Sequence, residues 1–384
     1  MEVYLDNAAT TKPKKTVIEA VVKAMEENYG NPSSLHRKGV EVEKSIKNAR
    51  KLIAKTLGCK DQEFYFTSGG TESNNIAIRG IAEANHRAGK HIVTTKIEHP
   101  SVLNTFKDLE GRGYEVTYLD IDSGGFISLE KLEASIREDT ILVSIMHVNN
   151  EVGSIQPIQE IGRLIKGKNS KTLFHVDAIQ SFGKIKFILS NLEVDTMAIS
   201  GHKVHGPKGI GGLYVKKGIK IKPIVTGGGH EMGLRAGTEN VPGILGFAEA
   251  VRIIMEEQDQ QIKQMKFLKS YFIEKIQGEI KDVVIHSGTE ESFAPHIINM
   301  SFMGTKSEVL LHSLEGDGIY VSSGSACSSK KKGYSHVLSA MKIKEALIDS
   351  SLRISVSDTN TKDEIDYAVT QIKKQVELLR KIMR

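Results

Sequence analysis

Between residue 14 and about residue 215, apolar positions switch repeatedly between two periods. Val42, Ile46, Ala49, Ile53 and Leu57 recur at helical spacing, with Gly58 placed to cap the end. Pro13 opens another helical stretch that Gly30 closes. Short apolar runs predict strands at Phe64–Thr67, His91–Thr95, Glu115–Leu119, Ile141–Met146, Leu173–Val176, Thr196–Ser200 and Leu213–Val215. Between most of them lie amphipathic, helix-length segments: Thr71–Ala88, Ser101–Glu110, Leu129–Ile136 and Ile158–Lys166. This alternation predicts an α/β fold with a mostly parallel sheet wrapped by helices. Ligands of such sheets bind outside the C-terminal strand ends, so the residues just after each strand are the first candidates for chemistry.

A long helical segment, Gly243 to Gly278, is followed by a change of style. Strand signals at Val283–His286, Ile297–Phe302 and Leu352–Val356 then alternate with helices at Ser307–Leu314 and Asp363–Met383, predicting a smaller α+β unit. The length, 384 residues, suits two domains. Charge changes little: 52 basic against 47 acidic residues leave a net +5, spread along the chain, which gives no reason to expect direct nucleic-acid binding. Two cysteines, Cys59 and Cys327, cannot form a disulfide framework or a four-thiolate zinc site, and they fit a reducing compartment. The opening Met1–Asp6 lacks the layout of a signal peptide, and no apolar run approaches the ~18 residues of a membrane span. A cytoplasmic protein without a membrane partner or a metal site is therefore expected. Gly162–Asn169 nearly fits a phosphate-binding P-loop, but Asn169 stands where a hydroxyl is required, and the segment ends a helix.

Four strand-end segments carry candidate chemistry. Ser200-Gly201-His202-Lys203 places an amine at the ligand edge, where partial burial would make it a nucleophile for an aldehyde; the plainer alternative is a surface lysine in a turn. Asp177 closes a buried strand with no basic residue nearby and needs a cationic partner, unless it merely caps a helix. Ser68-Gly69-Gly70-Thr71 opens a helix and offers an anion site, or an ordinary cap. His99 could stack on a planar ring or move protons, or be structural. One ligand satisfies all four: pyridoxal 5′-phosphate, with an aldehyde for Lys203, a ring nitrogen for Asp177, a phosphate for Gly70–Thr71 and a π-face for His99.

Six segments together resemble the NifS/IscS-type cysteine desulfurases, which are class V, fold-type I pyridoxal-phosphate enzymes. They are Asp6-Asn7-Ala8-Ala9-Thr10-Thr11, Gly30-Asn31-Pro32-Ser33-Ser34, Thr67–Asn75, Val148–Gly153, Ser200–Lys203 and Arg235–Asn240. The resemblance implies a seven-stranded large domain over residues 14–257. It also implies a small domain built from 1–13 and 258–384, which carries the catalytic cysteine loop.

The resemblance further implies roles. Lys203 would bind the cofactor aldehyde and move the α-proton. Asp177 would pair with the ring nitrogen, Gln180 and Asn150 would bond its hydroxyl side, and His99 would stack on it and act as acid or base. Gly70, Thr71, Ser200 and His202 would hold the phosphate, and Thr238 would reach the phosphate of a neighbouring subunit in a homodimer. Arg353, helped by Asn31 and Asn150, would bind the carboxylate of L-cysteine. Cys327, in the small, polar run Ser322–Ser329, would take sulfur as a persulfide. It would pass that sulfur to an acceptor protein, an iron–sulfur scaffold or a tRNA thiolation enzyme. A selenocysteine lyase and a class V aminotransferase are the alternatives on the same scaffold.

Overall fold

A computed structural model describes residues 1–324 and 334–382. A short strand, β1 (Val3–Tyr4), leads into α1 (Lys15–Glu27) and α2 (Arg37–Leu57). Gly58 ends α2 in the left-handed conformation at φ 77°, as its sequence position predicts. The first helix stops at Glu27, three residues short of Gly30.

The central unit then alternates strand and helix. It comprises β2 (Phe64–Thr67), α3 (Gly70–Asn85), β3 (His91–Thr95), α4 (Pro100–Gly111), β4 (Glu115–Leu119), α5 (Leu129–Ser135), β5 (Thr140–Ser144), α6 (Ile158–Lys168), β6 (Leu173–Asp177), β7 (Thr196–Ser200) and β8 (Gly211–Val215). These strands form one seven-stranded sheet in the order β2-β8-β7-β6-β5-β3-β4. Only β8 runs against the others, pairing antiparallel with both neighbours. The C-terminal ends of the six co-directional strands therefore meet along one edge. The near-P-loop segment lies inside and just past α6, where helical hydrogen bonding leaves its amides unable to cradle a phosphate.

Helix α7 (Val241–Glu279) follows, about 58 Å long at 39 residues. Its first half, through Ile254, packs into the core under the large sheet; its second half, from Met265, packs into a separate core. That second core covers a three-stranded antiparallel sheet, formed with β9 (Val283–Ile285), β10 (Ile297–Phe302) and, after α8 (Ser307–Gly316), β11 (Ile319–Tyr320), α9 (His336–Ala340) and α10 (Glu345–Ile348), by β12 (Ser351–Ser355). Strand β11 pairs with β1 instead, which draws the N-terminus onto the small unit. The chain closes with α11 (Lys362–Ile382). Among the described residues, no helix is long and apolar enough to cross a membrane.

Candidate active site

The edge where the strands end opens into a cavity of about 180 Å³. Ala8, Ala9, Gly70, Thr71, His99, Met146, Asn150, Asp177, Ile179, Gln180, Ser200, His202, Lys203 and Arg353 line it. Residues separated by up to 345 positions are thus brought to one wall. Asn31 and Thr238 do not line it: both are exposed, and Asn31 accepts through Oδ1 from the Ser33 amide at 2.9 Å. Cys327 lies outside the described residues.

Each lining residue is set by a local rule. Asp177 is the last residue of β6. Its Oδ1 accepts from the Ile179 amide at 3.0 Å and its Oδ2 from Asn74 Nδ2 at 2.8 Å. Burial raises its carboxyl pKa above the usual range, against the pull of those two bonds and of the Lys203 charge. A protonated ring nitrogen would offset that burial.

Behind Asp177 stands a polar chain. His175 lies on β6 and is fully buried, and burial pushes its pKa down to about 3, so the ring is neutral. Asn74 Nδ2 is a donor, so Asn74 Oδ1 must accept the 3.0 Å bond from His175 Nε2; His175 Nδ1 then accepts from Thr196 Oγ1 at 2.9 Å. Asn74 Nδ2 also donates to Ser101 Oγ at 2.9 Å, which bonds His99 Nδ1 at 2.8 Å. One amide therefore orients both Asp177 and His99.

His99 is the N-cap of α4 and accepts from the Ser101 amide at 3.1 Å. Burial, with the charges of Lys203 and His336, lowers its pKa to about 4. Beside it, burial raises the Glu98 carboxyl to about 8, although Oε1 accepts from Thr95 Oγ1 and the Met146 amide.

Lys203 ends a 3₁₀ turn directly after β7. Its Nζ donates to the carbonyls of Ala8 at 2.6 Å and Ala9 at 2.7 Å. The N-terminal segment thus forms part of the wall. Asp6 accepts from Arg353 Nη2 at 2.7 Å, and Thr10 Oγ1 bonds His202 Nδ1 at 3.2 Å. Arg353 lies on β12, is 1% exposed and also donates through Nη1 to the Asn150 carbonyl at 3.0 Å.

The phosphate-sized end is formed by α3, whose N-cap Gly69 takes φ 151° and offers no side-chain cap, leaving the first-turn amides open. Gly211 makes this possible: a Cβ there would stand 2.7 Å from Gly69 Cα. Among the described residues, three buried polar atoms on cavity residues have no hydrogen-bond partner: Ser200 Oγ, Asn150 Oδ1 and Arg353 Nε. Unpaired donors and acceptors facing one space call for a ligand. The residues present fit a phosphorylated aromatic aldehyde: helix amides for the phosphate, a buried carboxyl for the ring nitrogen, and an amine for the aldehyde.

Sequence reading missed Ala8 and Ala9 as wall residues and Asp6 as the partner of Arg353, although it singled out the segment that holds them. It gave no role to Asn74 or His175, although Asn74 lies in the segment Thr67–Asn75 and His175 in the strand Leu173–Val176; a buried Asn just past the first turn of α3 was the available signal.

A parallel sheet carrying an amine, a carboxyl and a helix N-terminus at its ligand edge defines a fold-type I pyridoxal-phosphate enzyme. The chain belongs to the aminotransferase class-V family, whose model matches residues 3–368. It is 45% identical over 381 residues to the cysteine desulfurase IscS of Dictyoglomus turgidum, covering 99% of this chain and 96% of that one. It is 44% identical over 379 residues to the cysteine desulfurase IscS of Methanosarcina thermophila, covering 98% and 93%. Among solved structures it resembles a NifS-like protein at TM-score 0.93 and 42% identity, covering 98% of this chain and all (100%) of that one. It also resembles SspA in complex with cysteine at TM-score 0.81 and 35% identity, covering 94% and 100%.

Proposed function

We propose that this chain is a pyridoxal-phosphate-dependent cysteine desulfurase that converts L-cysteine to L-alanine and holds the released sulfur as a persulfide on Cys327. The observation that carries the reading is the convergence of Lys203, Asp177, His99 and the α3 N-terminus on one cavity, in a chain whose full-length relatives bear that name. Its structural relative SspA was solved in complex with cysteine, which supports the same substrate class.

When bound, the cofactor supplies an aldehyde and an electron-withdrawing ring that acidify the substrate α-proton and weaken the Cβ–S bond. Lys203 would bind the aldehyde and carry the proton at Cα. Asp177 would keep the ring nitrogen protonated, and Gln180 and Asn150 would bond the ring's hydroxyl side. Gly70, Thr71, Ser200 and His202 would hold the phosphate. His99 would stack on the ring and, neutral at pH 7, could accept a proton. Arg353, aided by Asn150, would take the substrate carboxylate, with Nε the guanidinium donor that bonds no other described residue. The Cys327 thiolate bonds the substrate sulfur as the Cβ–S bond breaks; carbon keeps the electron pair and then gains a proton.

The active unit is a homodimer. Ile18, Val22 and Met25 expose one apolar face of α1, and Tyr29 follows just past its end; all are 48–71% accessible, and a second copy would cover them. Thr238, exposed on the segment before α7, would reach the partner's phosphate site; Asn31, expected to help Arg353 hold the substrate carboxylate, lies outside the cavity of its own chain. Sulfur then passes to an acceptor for iron–sulfur cluster assembly or tRNA thiolation, in the cytoplasm.

Borohydride reduction followed by peptide mapping tests the assignment. The cofactor is expected on the Lys203 peptide, and L-cysteine is expected to yield alanine without any keto acid. Cofactor fixed elsewhere, or turnover that requires a keto acid, overturns the reading.

A further inference from the structure

A second amine beside the cavity is left unused by the proposed reaction. Lys184 follows the turn after β6 and is 6% exposed. Its Nζ donates to Gln180 Oε1 at 3.5 Å. Gln180 Nε2 in turn donates to the Ala8 carbonyl at 2.9 Å, the same carbonyl that accepts from Lys203 Nζ at 2.6 Å. One glutamine and one carbonyl therefore join the two lysines. Both also line a small cavity of about 20 Å³ behind the main one.

The charges facing Lys184 are mostly of its own sign. Lys203 and Arg353 act on it, and it bears on His202 and on His296. The carboxylate in range, Asp358, accepts from Lys14 at 2.9 Å and lies 3.0 Å from His205 Nε2. Asp6 is engaged by Arg353. Burial, aided by the two cations, lowers the Lys184 amine to about 7.

We propose that Lys184 is a positioning residue for Lys203: placed across Gln180 and the shared cavity, it shares the positive charge of that wall with Lys203, so that near neutral pH the two amines do not both hold a proton and Lys203 is in part unprotonated, ready to attack an aldehyde. The inference rests on the reading of Lys203 as the cofactor-binding amine. Two ammonium groups in one poorly solvated wall repel each other, and the pair releases its protons in two linked steps. A neighbouring cation is one of the established ways to activate a lysine nucleophile.

The test uses three full-length chains: wild type, Lys184→Met and Lys184→Arg. In the cofactor-free protein, competitive acetylation quantified on the Lys203 peptide gives the pH midpoint of its amine. In the holoenzyme, the pH midpoint of the cofactor's visible band gives a second reading. The expected order is Met above Arg by roughly one pH unit or more, with wild type between them; a wild type that titrates together with Met overturns the proposal, because native Lys184 would then place no charge on Lys203. Met and Arg variants that melt like wild type yet titrate together overturn the proposal, because a purely structural role predicts that result. If Lys184→Met does not fold, Lys184→Gln takes its place as the neutral variant under the same criterion. A Lys203→Ala chain that still fixes cofactor with borohydride would fail the reading of Lys203, while the acetylation midpoints still report the coupling between the two amines.

Discussion

At the residue scale, the site is a set of strand-end groups held by partners far away in the chain. Lys203, Asp177, His99 and the Gly70–Thr71 turn were legible because each stands at a strand end, a local pattern. Asn74, His175 and Asp6 were not, because their partners lie about 100 to 350 positions away and only folding brings them together. Asn74 gives the sharpest consequence. Asn74→Ala removes the donor to Asp177 and the link to His99, leaving a buried carboxyl short of one bond. A buried hydrogen bond to a charged group is worth ~1.5–3 kcal/mol, so cofactor affinity is expected to fall by roughly 10- to 150-fold in equilibrium dialysis. An unchanged affinity would mean that the amide does not orient Asp177.

His175 carries a pH consequence. Its folded pKa, about 3, lies below the 6.5 of a free histidine. The unfolded chain therefore binds this proton first as pH falls, so its contribution is full above about 6.5 and is lost towards about 3. His175→Gln is expected to flatten the decline of melting temperature between pH 7 and pH 4, whatever its effect on the absolute value. An equal slope in both proteins would contradict the assignment.

At the element scale, periodicity placed β2, β3, β4, β7 and β10 at their observed bounds. It overran at β5, which ends at Ser144, because Ile145 and Met146 stay buried after leaving the ladder. Apolar runs report burial, and burial continues into the loop that leads to Asn150. Strands β1 and β11, two residues each, are too short for any period to show. Gly211 and Arg50 test how elements hold the site. In Gly211→Val the new side chain meets Gly69, and overpacking of this kind costs ~1–3 kcal/mol, visible as a lower denaturant midpoint together with weaker phosphate retention. Arg50 binds Glu231 through both nitrogens at 2.7 Å, and Glu231 also accepts from the Phe66 amide. This pair ties β2 to the segment that leads to Thr238. Arg50→Met leaves Glu231 buried without its cation, a loss of ~3–5 kcal/mol in urea unfolding.

At the scale of the whole molecule, two hydrophobic cores joined by α7 support a large domain over 14–257 and a small one from 1–13 and 258–384, a division we propose. The boundary is not strict in packing, since Val337, Leu338, Met341 and Ile348 pack into the core under the large sheet. Arg353 reaches the site from the small sheet, so the cavity depends on both cores. The exposed face of α1 gives a prediction at this scale. The double substitution Ile18→Asp with Met25→Asp is expected to yield a monomer in sedimentation, with cofactor retention reduced. A dimer that persists would place the interface elsewhere.

The central claim is that Lys203 and Cys327 act in sequence on the sulfur of L-cysteine. The most direct measurement follows sulfur-labelled L-cysteine into protein while alanine is counted in a single turnover. Wild type is expected to give one alanine for each labelled sulfur on Cys327, Cys327→Ser to carry no label, and Lys203→Ala to give neither product. Label that reaches the Cys327→Ser protein in equal amount, or alanine formed by Lys203→Ala, would contradict the account.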